Sequence, residues 1–397
     1  MTSLIFHVDV NSAYLSWNAI WEKEQGLTRD LRQIPSAVGG DPKSRRGIVL
    51  AKSPSAKACG VQTGESLYTA LKKCPGLLIV PPQRDIYRRE SAALVEILLR
   101  YSPILERASI DECYLDMGSL TKKQAVALAQ TISADVRTSR GFTVNIGIGE
   151  NKLCAKMASD FEKPNRIHTL FPDEIKKKLH PLPVSRLLMV GPVLSRELHN
   201  INIQTVGDLA ACDASFLRQR FGKMGDLLYR YARGLDDAPV VVEGTMDAKG
   251  MSHSMTLPED VQDPQKAHRV LDTLLLPLHR RLLCEAFLTG CVNVHYTTSA
   301  FVSGSHQKML PHPTDSWEEL HRIAHTLLTQ AWRGVPLRKI GVCFSHLTTN
   351  EVQQLGLSDW QASLKKDRAQ LTVETLKKRF GKEIITQGDS FPSIRRQ

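Results

Sequence analysis

The chain has 397 residues, 42% of them hydrophobic, and its 52 lysines and arginines outnumber 41 acidic residues to give a formal net charge of +11. That length and apolar content can fill several cores, which excludes a disordered tail; the basic excess points to a polyanion such as nucleic acid, with an ordinary solvated surface as the competing explanation. Eight cysteines, at 59, 74, 113, 154, 212, 284, 291 and 343, form no CxxC pair and no zinc-spaced block, and no apolar run approaches a bilayer span, so a soluble intracellular chain with reduced thiols is expected.

The first apolar run, Leu4 to Val10 (LIFHVDV), reads as a buried strand that delivers Asp9 to its end. A helix follows, capped by Asn11 or Ser12, with Tyr14, Trp17 and Trp21 at helical spacing. From Ile34 to Pro82 glycine, proline and lysine dominate, which predicts a small inserted subdomain before a strand at Leu77 to Val80 and a helix from Glu90 to Tyr101. The stretch ASIDECYLDM sets Asp111 beside Glu112, and neighbours on a strand point to opposite faces. Both carboxylates can be aimed at one point if they form the tight turn between strands Ile104 to Ile110 and Cys113 to Met117.

Thr143 to Ile148 reads as another strand, and Asn151 to Phe161 as a helix with Leu153, Met157 and Phe161 on one face. The alternation lacks the rhythm of a doubly wound sheet, so an α+β, palm-like layer is expected. Residues 182–210 read as short helices around a Gly-Pro turn, and residues 236–250 as a linker to a second α+β module that closes on the strand Lys339 to Phe344. The remaining chain holds QQLGLSDW and a lysine-rich amphipathic helix with Val373, Leu376 and Phe380 on one face.

Asp9, Asp111 and Glu112, each at a strand end, make a three-carboxylate cluster. Hard oxygen ligands in that number suit two magnesium ions about four ångströms apart, the arrangement that clamps both oxygens of an in-line phosphoryl displacement. The amides of residues 10 to 14, at the helix start, offer a site for a triphosphate, and Lys57 and Lys163 are placed to neutralise it. Singly, each has an ordinary explanation as a capping aspartate or a solvated lysine; jointly they do not.

At these residues the chain resembles the Y-family DNA polymerases, the lesion-bypass class that includes bacterial DNA polymerases IV and V, over nearly its whole length. HVDVNSAYLSW and SIDECYLDM resemble the family's two metal motifs, SPSAKACGV its fingers segment, NKLCAKMASDFEKPN the helix and lysine that close the palm, and MVGPVLSRELHNINIQTVGDL the helix-hairpin-helix of the thumb. The resemblance implies a right-hand polymerase with palm (1–20 and 77–165), small fingers (21–76), helical thumb (166–236), little finger (245–346) and a C-terminal tail (347–397). It implies that Asp9, Asp111 and Glu112, with the Val10 carbonyl, ligate two Mg2+ ions. Ser12, Ala13, Tyr14, Lys57 and Lys163 would contact the deoxynucleoside triphosphate, with Tyr14 as the steric gate that excludes a ribose 2′-OH; an aromatic buried against the first helix is the alternative for Tyr14.

Gly191 in the thumb and Lys249, Arg338 and Lys339 around the little finger, with Arg280 and Arg281, would contact primer-template DNA. Gln354, Leu355 and Leu357 resemble the peptide by which bacterial polymerases dock on the sliding clamp, although Ser358 replaces its terminal aromatic and a chance match in a linker is the competing reading. The implied enzyme is monomeric, cytoplasmic and nucleoid-associated, and acts in the response to DNA damage. Two departures stand out. Relatives carry Tyr and Arg where this chain has Pro54 and Lys57, which leans toward polymerase V rather than IV, and Met189 stands where relatives show glycine in the thumb turn. A non-catalytic DNA-binding scaffold on the same fold and a palm-type nucleotide cyclase are the rival classes.

Overall fold

In the computed structural model, which describes residues 3–41, 47–242 and 248–349, the opening apolar run becomes β1 (Ile5–Val10), the middle strand of a five-stranded sheet. β6 (Glu112–Asp116) and β7 (Val144–Gly149) flank it antiparallel, β5 (Leu105–Arg107) pairs with β6, and β8 (Ile167–Leu170) runs parallel to β7. Every residue of β1 and β7 is buried, because both sheet faces are covered. Phe6, Val8, Val10, Cys113, Leu115, Val144, Ile146 and Ile148 share one core with α4 (Arg84–Leu99) and α5 (Lys122–Arg140).

Strand alternation turns Ile5, His7 and Asp9 to the other face, where α6 (Lys152–Ser159) packs. Gly147 and Gly149 let it approach: a Cβ on Gly147 would run into the Ala155 carbonyl and the Ser159 amide, and one on Gly149 into Cys154 and Ala155. The seat of α6 is therefore set by backbone contact. α1 (Ala13–Glu24) follows β1, with Trp17 fully buried beside Tyr87 and Phe142.

β2 (Ser36–Gly39), β3 (Val49–Lys52) and β4 (Leu78–Val80) form a separate three-stranded sheet accompanied by α2 (Pro54–Ala58) and α3 (Leu67–Lys73). β4 pairs parallel to β2 and so completes this small sheet, where the sequence predicts the start of the larger layer. α7 (Pro192–Asn200), α8 (Val206–Ala211), α9 (Ala214–Phe221) and α10 (Lys223–Ala232) pack around Leu198, Val206, Leu209, Leu217 and Leu228.

These elements belong to one compact unit, which runs to Ala248 and takes in Thr256–Glu259; Lys249–Met255 and the chain from Asp260 belong to a second. In the second, β9 (Gly250–Val261), β10 (Phe287–Thr298), β11 (Ser303–Thr314) and β12 (Leu337–Thr349) form a sheet in the order β11-β10-β12-β9. α11 (Pro264–Cys284) and α12 (Trp317–Ala331) pack on it over Val292, Val294, Ile340, Val342 and Phe344.

The hairpin differs from its expected form in one respect. Glu112 is the first residue of β6 and pairs with Asp9, so the turn comprises Ala108 to Asp111 and holds only one of the two acids. The register with β1 extends the strand by one residue and pulls Glu112 into it.

Gly147→Ala is expected to cost about 1–3 kcal/mol, because the new methyl meets backbone that cannot rotate away. Denaturant unfolding of the first unit measures it, and an unchanged midpoint would mean that α6 does not sit at this distance.

Candidate active site

Opposed across β1 and β6, Asp9 and Glu112 project from the α6 face of the sheet. Two carboxylates so close repel, and α6 supplies the compensation. Lys156 Nζ bridges them, 2.6 Å from Glu112 Oε1 and 3.5 Å from Asp9 Oδ2. Lys163 Nζ lies 2.9 Å from Asp9 Oδ2 and 2.7 Å from Asp160 Oδ1, and Asp160 also faces Lys156 at 3.4 Å.

The shifts follow from this arrangement. Burial pushes the Asp9 carboxyl up to about 6, against the pull of Lys163 and Lys156 and with help from its hydrogen bond to Glu112. Burial opposes ionisation of Glu112 as well, but His7, Lys156 and Asp9 together outweigh it and hold Glu112 well below the usual carboxylate range. Lys156 is penalised by burial, yet Glu112, Asp160 and Asp9 keep its ammonium above the ordinary lysine value. Beneath the pair, His7 is buried, its Nδ1 2.7 Å from Ser159 Oγ and its Nε2 3.6 Å from Glu112, and burial lowers its pKa so that the ring is neutral.

Asp111 adjoins this cluster through the backbone: its carbonyl accepts from the Val10 amide at 3.0 Å, and its side chain accepts from Ser109 Oγ at 2.7 Å. The Asp111 backbone is thus joined to the end of β1 that carries Asp9, while its carboxylate is not grouped with those of Asp9 and Glu112 within 4.8 Å. The amide site is narrower than predicted. Val10 and Asn11 spend their amides on Asp111 and Thr143 carbonyls, which leaves those of Ser12, Ala13 and Tyr14 ahead of the first helical bond, Ser16 to Ser12. Ser12 caps α1 in the left-handed region, φ 48°, without a side-chain cap bond.

Asn11, which the sequence offers only as a helix cap, and Asn145, which it does not single out, fix the loop that carries Lys163. Asn11 Nδ2 donates to Asn145 Oδ1, Asn11 Oδ1 accepts from Asn165 N, and Asn145 Nδ2 donates to the Ser159 and Glu162 carbonyls. Lys156 and Asp160 were also missed as site residues. Their signal was the i, i+4 spacing of Lys156 and Asp160 at the end of α6, which sets the two side by side. Tyr14 is half-buried and stacks on Tyr87, ring centres 4.6 Å apart, while Tyr87 donates to Asn18 Oδ1 at 2.7 Å. The proximity of Asp111 helps burial to raise the Tyr14 pKa, which places the ring beside the acidic cluster.

Lys57 is exposed on α2, and Lys52 is close enough that its charge, after burial, lowers the Lys52 pKa. Gly191 caps α7 with nothing near a would-be Cβ, so no close approach demands glycine there; Met189, at φ 73°, carries the left-handed strain instead. In the second unit Lys249 is exposed, Arg338 sits over the Phe301 ring at 4.7 Å, and Lys339 alternates with Gly341 and Cys343 on the sheet face away from the helices. Arg280 and Arg281 lie on α11, which covers the opposite face, and Arg281 is paired with Glu285 at 2.7 Å. Arg280 and Arg281 therefore lie on a different side of the sheet from Lys339. Gln354, Leu355 and Leu357, the tail helix, and Arg45 and Arg46 lie outside the described residues.

The donors fit hard divalent cations. Asp9, Glu112 and Asp111, with the Val10 carbonyl at the strand end, offer only oxygen, and an ammonium already bridges the first two as a cation would. By contrast, Lys57 lies on the small sheet's helix and has no hydrogen-bonded link to this cluster among the described residues.

The impB/mucB/samB family model matches residues 8–160, its C-terminal domain residues 248–357, and a thumb domain described for DNA polymerase-iota residues 187–236. The chain is 39% identical over 386 residues to DNA polymerase IV of Clostridium acetobutylicum, covering 97% of each, and 32% identical to DNA polymerase IV 1 of Bacillus subtilis, covering 97% of this chain and 92% of that one. A solved Y-family DNA polymerase chimera superposes with a TM-score of 0.76 at 23% identity over 87% of this chain and 100% of that chain, a likeness of fold. These whole-chain relatives bear the polymerase IV name, against the lean of the short fingers segment toward polymerase V.

Lys156→Met is expected to have two effects. Without divalent cations it should lower stability by about 1–3 kcal/mol, since half-buried Glu112 loses its closest partner. It should also strengthen Mg2+ binding about fivefold, equivalent to ~1 kcal/mol, because a competing charge at about 4 Å is removed. Thermal unfolding and calorimetric titration measure these, and no change in either would show that Lys156 does not hold the pair.

Proposed function

Since the chain belongs to the Y-family of DNA polymerases, we propose that it is a DNA-templated DNA polymerase of the lesion-bypass type, adding deoxynucleotides to a primer 3′-OH and releasing pyrophosphate. The observation that carries this reading is the register pair Asp9 and Glu112 at the end of β1, with Asp111 in the adjoining turn and its carbonyl bonded to the Val10 amide.

Asp9, Asp111 and Glu112, assisted by the Val10 carbonyl, would hold two Mg2+ ions, which when bound would supply stabilisation of charge on the attacking and leaving oxygens. Around them the chain binds and orients. The amides of Ser12, Ala13 and Tyr14 face the triphosphate at a helix start, where the macrodipole favours negative charge. Lys163, fixed by the Asn11 and Asn145 network, and Lys57 with Lys52 neutralise it. Lys156, which bridges the two acids here, would keep Asp160 as a partner where cations took that place.

Tyr14 selects the sugar. Stacking on Tyr87, itself pinned through its hydroxyl to Asn18, leaves the gate little freedom to yield to a 2′-OH. The small sheet with α2 and α3 acts as short fingers, α7 to α10 as the thumb with Gly191 at its DNA-facing turn, and the second unit as a little finger whose open sheet face, with Lys339, lies along the DNA backbone. Lys249 and Arg338 add phosphate contacts. The tail peptide Gln354, Leu355 and Leu357 docks a sliding clamp, and the enzyme works as a monomer at the nucleoid in the cytoplasm. In support of a soluble setting, no helix among the described residues is long and apolar enough to cross a membrane.

Primer extension with and without template tests the reading. Asp111→Ala should abolish extension while primer-template binding is nearly retained, whereas full activity would remove the mechanism. Tyr14→Ala should admit ribonucleotides with extension of deoxynucleotides preserved, and unchanged sugar discrimination would reject the gate.

A further inference from the structure

In the second unit, α11 and α12 bring Asp272, His321 and His325 together. His321 Nε2 lies 2.9 Å and His325 Nε2 2.6 Å from the same oxygen, Asp272 Oδ1, and one ligand atom from each of the three falls within 4.8 Å of the others. The two histidines stand four residues apart on α12, the spacing that sets two imidazoles side by side on a helix. The rings are packed, not splayed: His321 and His325 have centres 4.1 Å apart, His325 stacks on His268 at 4.6 Å, and Trp317 backs His321 at 5.2 Å.

His268 adds a second, independent observation. Thr329 Oγ1 donates its one proton to the His325 carbonyl, so His268 Nε2, 3.2 Å away, must be the donor to that hydroxyl. Its Nδ1 is then a bare lone pair, buried and without a hydrogen-bond partner among the described residues. Leaving a buried nitrogen unpaired costs free energy unless something else meets it.

We propose that Asp272, His321 and His325 form a binding site for a divalent transition metal of the zinc class, which braces α11 against α12. Two imidazole nitrogens and one carboxylate oxygen are the donors zinc takes in tetrahedral sites, whereas magnesium prefers oxygen alone, so this site is chemically distinct from the acidic cluster of the first unit. Ligand atoms bound at about 2.0–2.1 Å to a tetrahedral ion stand about 3.3 Å apart, so the present hydrogen-bonded spacing need open by only about half an ångström. A metal takes each Nε2 without a proton, so a bound ring carries its proton on Nδ1. The fourth position falls to water, on the half-exposed side from which the ion enters, since Asp272 is 40% and His321 36% exposed.

The test uses the full chain stripped of metal and held in excess Mg2+ to saturate the oxygen cluster. Zn2+ is titrated against a chromophoric chelator, and Co2+ binding is followed by visible absorption. One Zn2+ per chain is expected, with intense tetrahedral Co2+ bands and a Zn2+-dependent rise in the unfolding temperature. His321→Ala and His325→Gln should each weaken Zn2+ at least about tenfold while primer extension persists. Asp9→Asn should leave Zn2+ binding as it is. Wild-type protein with no tetrahedral Co2+ spectrum, or equal Zn2+ affinity in wild type and the His321→Ala, His325→Gln double variant, would overturn the proposal. The first result needs no variant and so does not depend on whether the substitutions fold.

Discussion

Two carboxylates opposed across an antiparallel strand pair are the constraint to which the first unit is built. Asp9 and Glu112 are brought face to face by backbone register, and neither can retreat, because each strand is held on both sides. The repulsion is answered from α6 and the loop beyond it: Lys156 bridges the pair and Lys163 flanks it. Breaking a buried pair by removing one partner is far more destabilising than the pair is stabilising, so the acids and the lysines stand or fall together. The result is a concentrated acidic site whose charge is already matched while it waits for cations.

That matching depends on distances set elsewhere. Gly147 and Gly149 allow α6 to lie against the sheet, which brings Lys156 over the carboxylates instead of a methylene's width above them. The Asn11 and Asn145 side chains convert the end of β1 and the chain after α6 into one hydrogen-bonded piece. Tyr14 is the first aromatic beyond that piece, and its stack on Tyr87 ties it to α4. The proposed phosphate site, cation site and gate would therefore share a single origin at the end of β1, as a reaction that depends on positioning requires.

Much of this was legible in the sequence because it is written in local pattern. LIFHVDV could hardly be anything but a strand ending on an acid, and DE within a strand-like run demanded a turn close by. The register was not legible: placing Glu112 in β6 opposite Asp9 requires knowing which strand pairs with which, and a one-residue difference decides the side-chain face. β4 misled for the same reason, since three apolar residues do not say which sheet they join. α5 is not among the elements read from the sequence, although Thr121 and Gln124 form a capping box at its start and Gly141 ends it in the left-handed region, because the expectations rested on apolar period and not on cap chemistry. The Lys156 bridge and the Asp272 histidine cluster, at separations of 44 and about 50 residues, are tertiary facts that no window along the chain contains.

The two units divide the chemistry by donor type, oxygen in the first and imidazole nitrogen in the second. What most directly tests the account is where a cation settles in the first. The crystal structure of the full chain with primer-template, a non-hydrolysable deoxynucleoside triphosphate and Mn2+ would locate the ions by anomalous scattering. The account predicts manganese within about 2.5 Å of oxygens from Asp9, Asp111 and Glu112, with the Lys156 ammonium withdrawn from Glu112. Manganese bound elsewhere, with the 2.6 Å Lys156 to Glu112 contact intact, would contradict it.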